Sequence, residues 1–318
     1  MPLENTLMLN KKQDLSFFAN AKLLLTGEYF VMHGANALAI PLKYGQTLTV
    51  SYLVNDDLLH WTAADKNGVW FNADIKTRAI IVIKSTDETV GTRLQIILKA
   101  ARTLNPQFLL DGCGYCINTY VDFDRNWGLG TSSTLIVNIA KWAGVDAFKL
   151  HCLVSKGSGY DIACATSNNP IVYKVIDKVP VVIPVEIPFM LQQHIYFIYL
   201  GNKQDTTKNI ENLDDRNLID SNKINLISSI TNRLLKEEKL ENIMQVIIEH
   251  EDIVEEFLHE EAIQKKLFHD FNGVIKSLGA WGGDFCMVIS SEGDSYIRKY
   301  FNSRGYITIF QFNEIVKQ

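Results

Sequence analysis

Four short stretches carry residues whose types and spacing suit chemistry on an anionic ligand. The first is Trp127-Gly-Leu-Gly-Thr-Ser-Ser-Thr134, which runs directly into the apolar helical pattern Leu135 to Ala143. Glycines let backbone approach a phosphate, and the free N–H groups and dipole of a helix N-terminus favour anions. Hydroxyls at Thr131, Ser132 and Ser133 can cap the helix or hold a phosphate-bound Mg²⁺. A plain glycine turn with a Ser/Thr cap fits the same residues. The loop is no Walker A motif, since no Gly-Lys-Ser/Thr follows, and it lacks the third glycine of a dinucleotide fingerprint.

The second stretch, Lys156-Gly-Ser-Gly-Tyr-Asp161, presents a carboxylate at the head of the small-residue run Ile162 to Ala165. Asp161 could orient or deprotonate a substrate hydroxyl, or simply cap a helix. The third, Gly279-Ala-Trp-Gly-Gly-Asp-Phe285, reads as a glycine junction between a helix and a strand. It suits either a tight turn or a second backbone wall around a ligand, with Asp284 a turn acid or a loop anchor. Near the N-terminus, Lys22 sits in the apolar run Ala21 to Leu25, ahead of Gly27-Glu-Tyr29 and His33-Gly34. Such a lysine usually snorkels at a strand end. Beside Asp161 it would instead stabilise a developing anion and depress the Asp pKa.

The elements that must position these residues change character along the chain. Residues 15 to about 120 read mainly as strands, interrupted by one helix over Val90 to Thr103 with Leu94, Ile97, Leu98 and Ala101 on one face. Helices are expected over Ser132–Trp142 and Asp146–Ser155, and strands over Pro170–Tyr173 and Val179–Ile187. From about Asn209 to Ser277 the pattern is helical, clearest over Asn222–Leu235 and Leu240–Leu258. Two strands, in Phe285–Ser290 and Gly305–Phe312, are expected to close the chain. Strict strand–helix alternation is absent, so the class is α+β. The 318 residues imply about two domains, divided here as 1–187 and 188–318.

Composition removes several classes. With 47% hydrophobic residues the chain can bury a core, and a net charge of −5 argues against a nucleic-acid partner. No segment offers the roughly 18–20 apolar residues of a membrane span. The most apolar stretch, Val179–Leu200, is broken by three prolines, Glu186 and His194. The polar opening residues lack a signal-peptide core, so a cytoplasmic location without a membrane partner is expected. Five cysteines, mostly in apolar settings, fit a reducing compartment. Cys113-Gly-Tyr-Cys116 has no second pair to complete a zinc site, and reads as small residues on a strand.

The four stretches together, in this order, resemble the GHMP kinase superfamily, which includes galactokinase and the homoserine, mevalonate and phosphomevalonate kinases. The resemblance covers about Phe18 to Val288. It implies a two-domain α+β fold: an N-terminal half like the second domain of ribosomal protein S5, a ferredoxin-like C-terminal half, and ATP and acceptor between them. Carried onto this sequence, Gly128, Leu129, Gly130, Thr131, Ser132 and Ser133 would line the ATP phosphates, with Ser132 the Mg²⁺ ligand. Asp161 would be the base or orienting carboxylate and Lys22 its charged partner. Glu28, His33, Ser158, Gly159, Gly279, Gly282, Gly283 and Asp284 would face the acceptor, an anionic small molecule. A monomer or homodimer is expected.

Within the superfamily, Lys22 to Tyr29, Ala37 to Leu42 and the Ser-Gly-x-Asp of Ser158 to Asp161 resemble the mevalonate-pathway branch. Mevalonate kinases typically carry a Mg²⁺-binding glutamate about a dozen residues before the second-motif aspartate. Here Ala147 to Tyr160 holds no acid, and Asp146 is the only one near. That and the basic segment Lys156–Asp161 favour the phosphomevalonate type, whereas His33-Gly34 leans to mevalonate kinase. Two departures stand out: Ala19-Asn-Ala-Lys22 replaces the usual Ala-Pro-Gly-Lys, and Trp281 replaces a glycine. Other acceptors, such as homoserine or a sugar, and a non-catalytic sensor of the same fold remain the alternatives.

Overall fold

The computed structural model describes residues 13–54, 56–201, 220–279 and 284–318. In chain order the strands are β1 (Leu15–Leu24), β2 (Ala37–Leu53), β3 (Leu58–Asp65), β4 (Gly68–Lys76), β5 (Ile81–Ser85), β6 (Gly114–Val121), β7 (Ile171–Ile176), β8 (Val179–Pro184), β9 (Ile195–Tyr199), β10 (Val274–Leu278), β11 (Phe285–Ile289) and β12 (Ile309–Gln311). The helices are α1 (Glu88–Leu104), α2 (Thr131–Ala143), α3 (Ala147–Val154), α4 (Tyr160–Thr166), α5 (Phe189–His194), α6 (Ser221–Leu234), α7 (Leu240–Leu258), α8 (Ile263–Leu267), α9 (Asp294–Asn302) and α10 (Phe312–Ile315).

The fold is α+β, built on two sheets. Eight strands form the first, in the order β5-β4-β3-β6-β2-β7-β8, with β1 paired to β2. Among the described residues only β3 and β6 pair in parallel. The second sheet has the order β10-β11-β9-β12 and is antiparallel throughout. Helix α1 starts where the Asp87 side chain accepts the Val90 N–H at 3.0 Å, and buries the expected Leu94, Ile97, Leu98 and Ala101. These pack with Ile136 and Ile139 of α2 and Leu150 of α3 against the first sheet. A second core joins the two sheets: Leu23, Ile40 and Leu129 meet Phe197, Met287 and Ile247.

Four expectations are corrected. The helical stretch does not reach Ser277, because Val274–Leu278 is a strand buried along its whole length. A five-residue apolar run has no periodicity to separate strand from helix, and its full register with Phe285–Ile289 decides. The third glycine motif therefore links two antiparallel strands, not a helix and a strand. The Val179 strand stops at Pro184. The last strand shortens to Ile309–Gln311, because Glu314 Oε2 accepts the Gln311 N–H at 2.6 Å and starts a helical turn. Gly282, Gly283, Trp281 and residues 202–208 lie outside the described residues.

Candidate active site

Lys22 reaches the site through an irregularity in β1. Asn20 pairs with Gly45 but Lys22 pairs with Pro41, so Leu42, Lys43 and Tyr44 face the single residue Ala21. Such bulges re-aim side chains and release ladder groups. The Lys22 N–H turns from the sheet and donates to Leu129 O at 3.0 Å. Its Nζ lies 3.4 Å from Gly128 O and 5.6 Å from the centre of the Tyr160 ring. One residue thus holds the glycine loop through both main chain and side chain. Burial lowers the ammonium pKa, but Tyr160 and Asp161 outweigh it and leave Lys22 above its ordinary value. It is therefore a permanent cation at neutral pH.

The glycine loop itself is shaped by left-handed backbone at Gly128 (φ 66°) and Gly130 (φ 95°). Gly130 is the N-cap of α2, so the first-turn N–H groups of that 13-residue helix open onto the loop. A Cβ on Gly130 would press on the Lys22 stem at 3.1 Å, and one on Gly128 would overlap the Asp284 carboxylate. At the loop's start, Trp127 packs edge-on against Phe285 and Phe310 of the second sheet, with ring centres 6.0 and 5.4 Å apart. The loop is pinned to both sheets.

The adjacent serines divide their roles by helical phase. Ser132 is exposed on the first turn of α2; its hydroxyl suits Mg²⁺, which prefers hard oxygen donors and keeps several of its own waters. Ser133 is buried, and its Oγ donates to Asp161 Oδ2. Asp161 stands in the first turn of α4, whose N-cap is Gly159 at φ 85°. Its Oδ1 accepts the Ile162 N–H at 3.0 Å, so the aspartate is not the helix cap. Ser158 closes the turn: its carbonyl accepts the Tyr173 hydroxyl at 2.5 Å. Asp146 caps α3 by accepting the Lys149 N–H at 2.8 Å, which commits the one acid near this motif to structure.

Tyr160, the variable residue of Ser-Gly-x-Asp, was not expected to matter. It flanks Lys22, and burial pushes its phenol pKa up. Burial likewise pushes the Cys164 thiol up, which leaves it unreactive. Among the described residues no cluster of three His, Cys, Asp or Glu side chains could hold a metal, and no helix is long and apolar enough to cross a membrane.

The remaining expected site residues separate. Asp284 lies against Gly128, and Gly279 follows β10 with φ 72°. His33 is exposed on the short 3-10 turn Phe30–His33. Glu28, expected to face substrate, is instead buried, 2.6 Å from Lys276 Nζ and 3.3 Å from His250 Nε2. Burial works to raise its carboxyl, but the Lys276 ammonium prevails and holds it down to about 2. Lys276, His250 and Glu251 were missed in the sequence. A lysine inside Val-Ile-Lys-Ser-Leu was one signal. Another was that His250 shares a helix face with Ile243, Ile247 and Val254.

No protein-family model matches the sequence, and a search of curated proteins by sequence finds no match. Solved structures do match over almost the whole chain. Methanococcus jannaschii mevalonate kinase superposes with a TM-score of 0.71 at 13% identity, covering 97% of this chain and 99% of that one. For the L. major mevalonate kinase in complex with R-mevalonate the TM-score is 0.68 at 15% identity, covering 97% and 98%. Streptococcus pneumoniae phosphomevalonate kinase gives 0.64 at 16%, covering 94% and 99%. The chain has the GHMP kinase fold. Lactococcus lactis galactokinase, complexed with galactose, shares it at a TM-score of 0.67, so the GHMP fold by itself names no acceptor.

Proposed function

We propose that the protein is an ATP-dependent phosphotransferase of the GHMP type, acting in the cytoplasm on a small anionic acceptor of the mevalonate pathway. The observation that carries this reading is the convergence of Lys22, the helix-capping glycine loop Gly128–Gly130 and the Ser133-held Asp161. The loop N–H groups and the α2 terminus would cradle the ATP phosphates, with Lys22 countering charge on the transferred group. Ser132 would hold Mg²⁺, which when bound supplies charge neutralisation at the phosphate oxygens. Lys22, glycine loop and Asp161 then act mainly by positioning an in-line transfer. We divide the chain near residue 187, between the last strand of the first sheet and the first of the second, with the acceptor between the halves and the assembly a monomer or homodimer.

Of the two pathway acceptors we favour 5-phosphomevalonate over mevalonate. Supporting this are the absence of a free acid in Ala147–Tyr160, the capping role of Asp146, and the basic residue Lys156 before the motif. With a phosphate acceptor Asp161 has no hydroxyl proton to remove and serves to orient Lys22 and substrate. With a hydroxyl acceptor it is a base, and a base contributes about 10²–10⁴-fold.

The test is acceptor-dependent ADP release with 5-phosphomevalonate, mevalonate, homoserine and sugars, repeated for Asp161→Asn and Lys22→Met. Turnover with one acceptor and a collapse of kcat in Lys22→Met are expected. A modest loss in Asp161→Asn supports the phosphate acceptor, and a loss above about a hundredfold supports the hydroxyl. Wild-type rates in both variants would remove the active-site assignment. ATP binding without acceptor-dependent ADP release would make the protein a sensor.

A further inference from the structure

Four ionisable side chains form a cluster that the proposed transfer does not use. Glu28, His250, Glu251 and Lys276 are all at most 5% exposed. Lys276 Nζ lies 2.6 Å from Glu28 Oε1 and 3.5 Å from Glu251 Oε1. A buried ion pair adds little net stability over well-packed apolar residues, so its geometry needs another account.

That geometry holds main chain, not only charge. His250 Nε2 accepts the Gly27 N–H at 3.2 Å and lies 3.3 Å from Glu28 Oε2, while Nδ1 is 3.7 Å from Glu251 Oε1. The next residue, Glu251, accepts the Ser277 N–H at 3.1 Å through Oε2. Two adjacent residues of α7 therefore grip the turn after β1, which follows Lys22, and the strand β10, which leads into Gly279. Lys276 closes the triangle by reaching back to Glu28. Gly27 leaves no slack: its φ is 89°, and a Cβ would lie 2.6 Å from that of Ala37. On the other flank of the third motif, Asp284 lies against Gly128. The third motif is thus tied to the first motif before it and to the glycine loop after it.

We propose that His250 and Lys276 are positioning residues that set the separation between the first-motif turn and the third-motif strand, and so the shape of the acceptor site. The proposal rests on the kinase reading for its consequence, whereas the clamp itself is independent of it. Loss of the clamp acts on acceptor binding and spares ATP, whose loop is held separately by Lys22 and Trp127.

Kinetics of the full chain with 5-phosphomevalonate and with mevalonate, at saturating ATP, provide the first arm. His250→Leu removes the acceptor for Gly27; His250→Gln keeps a side-chain oxygen for it; the paired change Glu28→Gln with Lys276→Met removes both charges. Acceptor KM is expected to rise about tenfold in His250→Leu and in the paired variant, the cost of one lost backbone hydrogen bond. ATP KM should stay within about twofold, and His250→Gln should recover most of the loss. Unchanged acceptor KM in these variants, or a parallel rise for ATP, overturns the proposal.

Amide exchange provides the second arm and needs no turnover. His250→Gln and the paired variant serve here if His250→Leu does not fold. The Gly27 and Ser277 amides should be among the well-protected ones in the wild type. Local loss around residues 26–30 and 276–279 is expected in His250→Leu or the paired variant. Loss spread evenly over the chain, or none at these amides, overturns the clamp. Absence of ADP release by the wild type with either acceptor defeats the kinase reading instead, and leaves the clamp to be judged by exchange.

Discussion

Two charged regions of this molecule are built on opposite principles. Around the glycine loop, Lys22 and Asp161 are half-buried, Ser132 is exposed, and helix α2 opens its N-terminus beside them. Beneath the third motif, Glu28, Lys276, His250 and Glu251 are sealed in the interior and compensate one another. The first region leaves charge and N–H groups for a ligand to satisfy. The second pairs its charges inside the protein, away from any ligand, and transmits geometry. A motif residue therefore belongs to chemistry or to scaffolding according to burial and partner, not according to its place in the motif. Glu28 and Ser133 show this: both stand in motif positions, yet each is bound to a protein partner.

The largest expected effect separates the regions by stability. Lys276→Ala strands Glu28 without its cation and should cost about 3–5 kcal/mol, read from the denaturation midpoint. The paired change Glu28→Gln with Lys276→Met should recover most of it. Equal loss in both would mean that packing, not charge, matters there.

Gly128→Ala attacks the open region. A left-handed conformation costs an L-residue about 1–2 kcal/mol, and the new methyl overlaps Asp284. ATP affinity measured by calorimetry should fall at least about tenfold while the sealed network stays intact. Unchanged affinity would place the phosphates elsewhere.

The pH response should come from the sealed side. Glu28 titrates at about 2 in the fold against its ordinary 4.5. A lowered carboxyl contributes stability that is full above about 4.5 and is lost as pH falls toward 2. Glu28→Gln should flatten the acid limb of stability measured over that window, and an unchanged limb would assign it to other carboxylates.

The finest contrast is between neighbouring serines. Ser133→Ala removes a charge-assisted bond to Asp161, worth about 1.5–3 kcal/mol in comparable cases, and should lower kcat about tenfold at unchanged Mg²⁺ requirement. Ser132→Ala should change stability by less than about 0.5 kcal/mol and raise the Mg²⁺ concentration needed for turnover. Swapped phenotypes would reverse the assignment of the two hydroxyls.

Much of this was legible in the amino-acid order because it depends on local rules. Glycines at 128, 130 and 159 announced left-handed turns ahead of helices, and α1, α2 and α7 followed their apolar faces within one or two residues. The α+β class followed from the order of strand and helix patterns, whereas the juxtaposition of Lys22 with Asp161 was implied by the family resemblance, not by any local rule. Val274–Leu278 could not be read, since a short buried run becomes a strand only when β11 pairs with it.

Sequence alone therefore determined which residues could bend the chain, cap helices and carry charge, because those properties are set by each residue and its near neighbours. Tertiary structure decided which charges remain available. Packing α7 against the first-motif turn and β10 withdrew Glu28 from the site, and the phase of α2 turned Ser133 inward and Ser132 outward. Burial and partner choice are properties of contacts between distant segments, and no local spacing contains them.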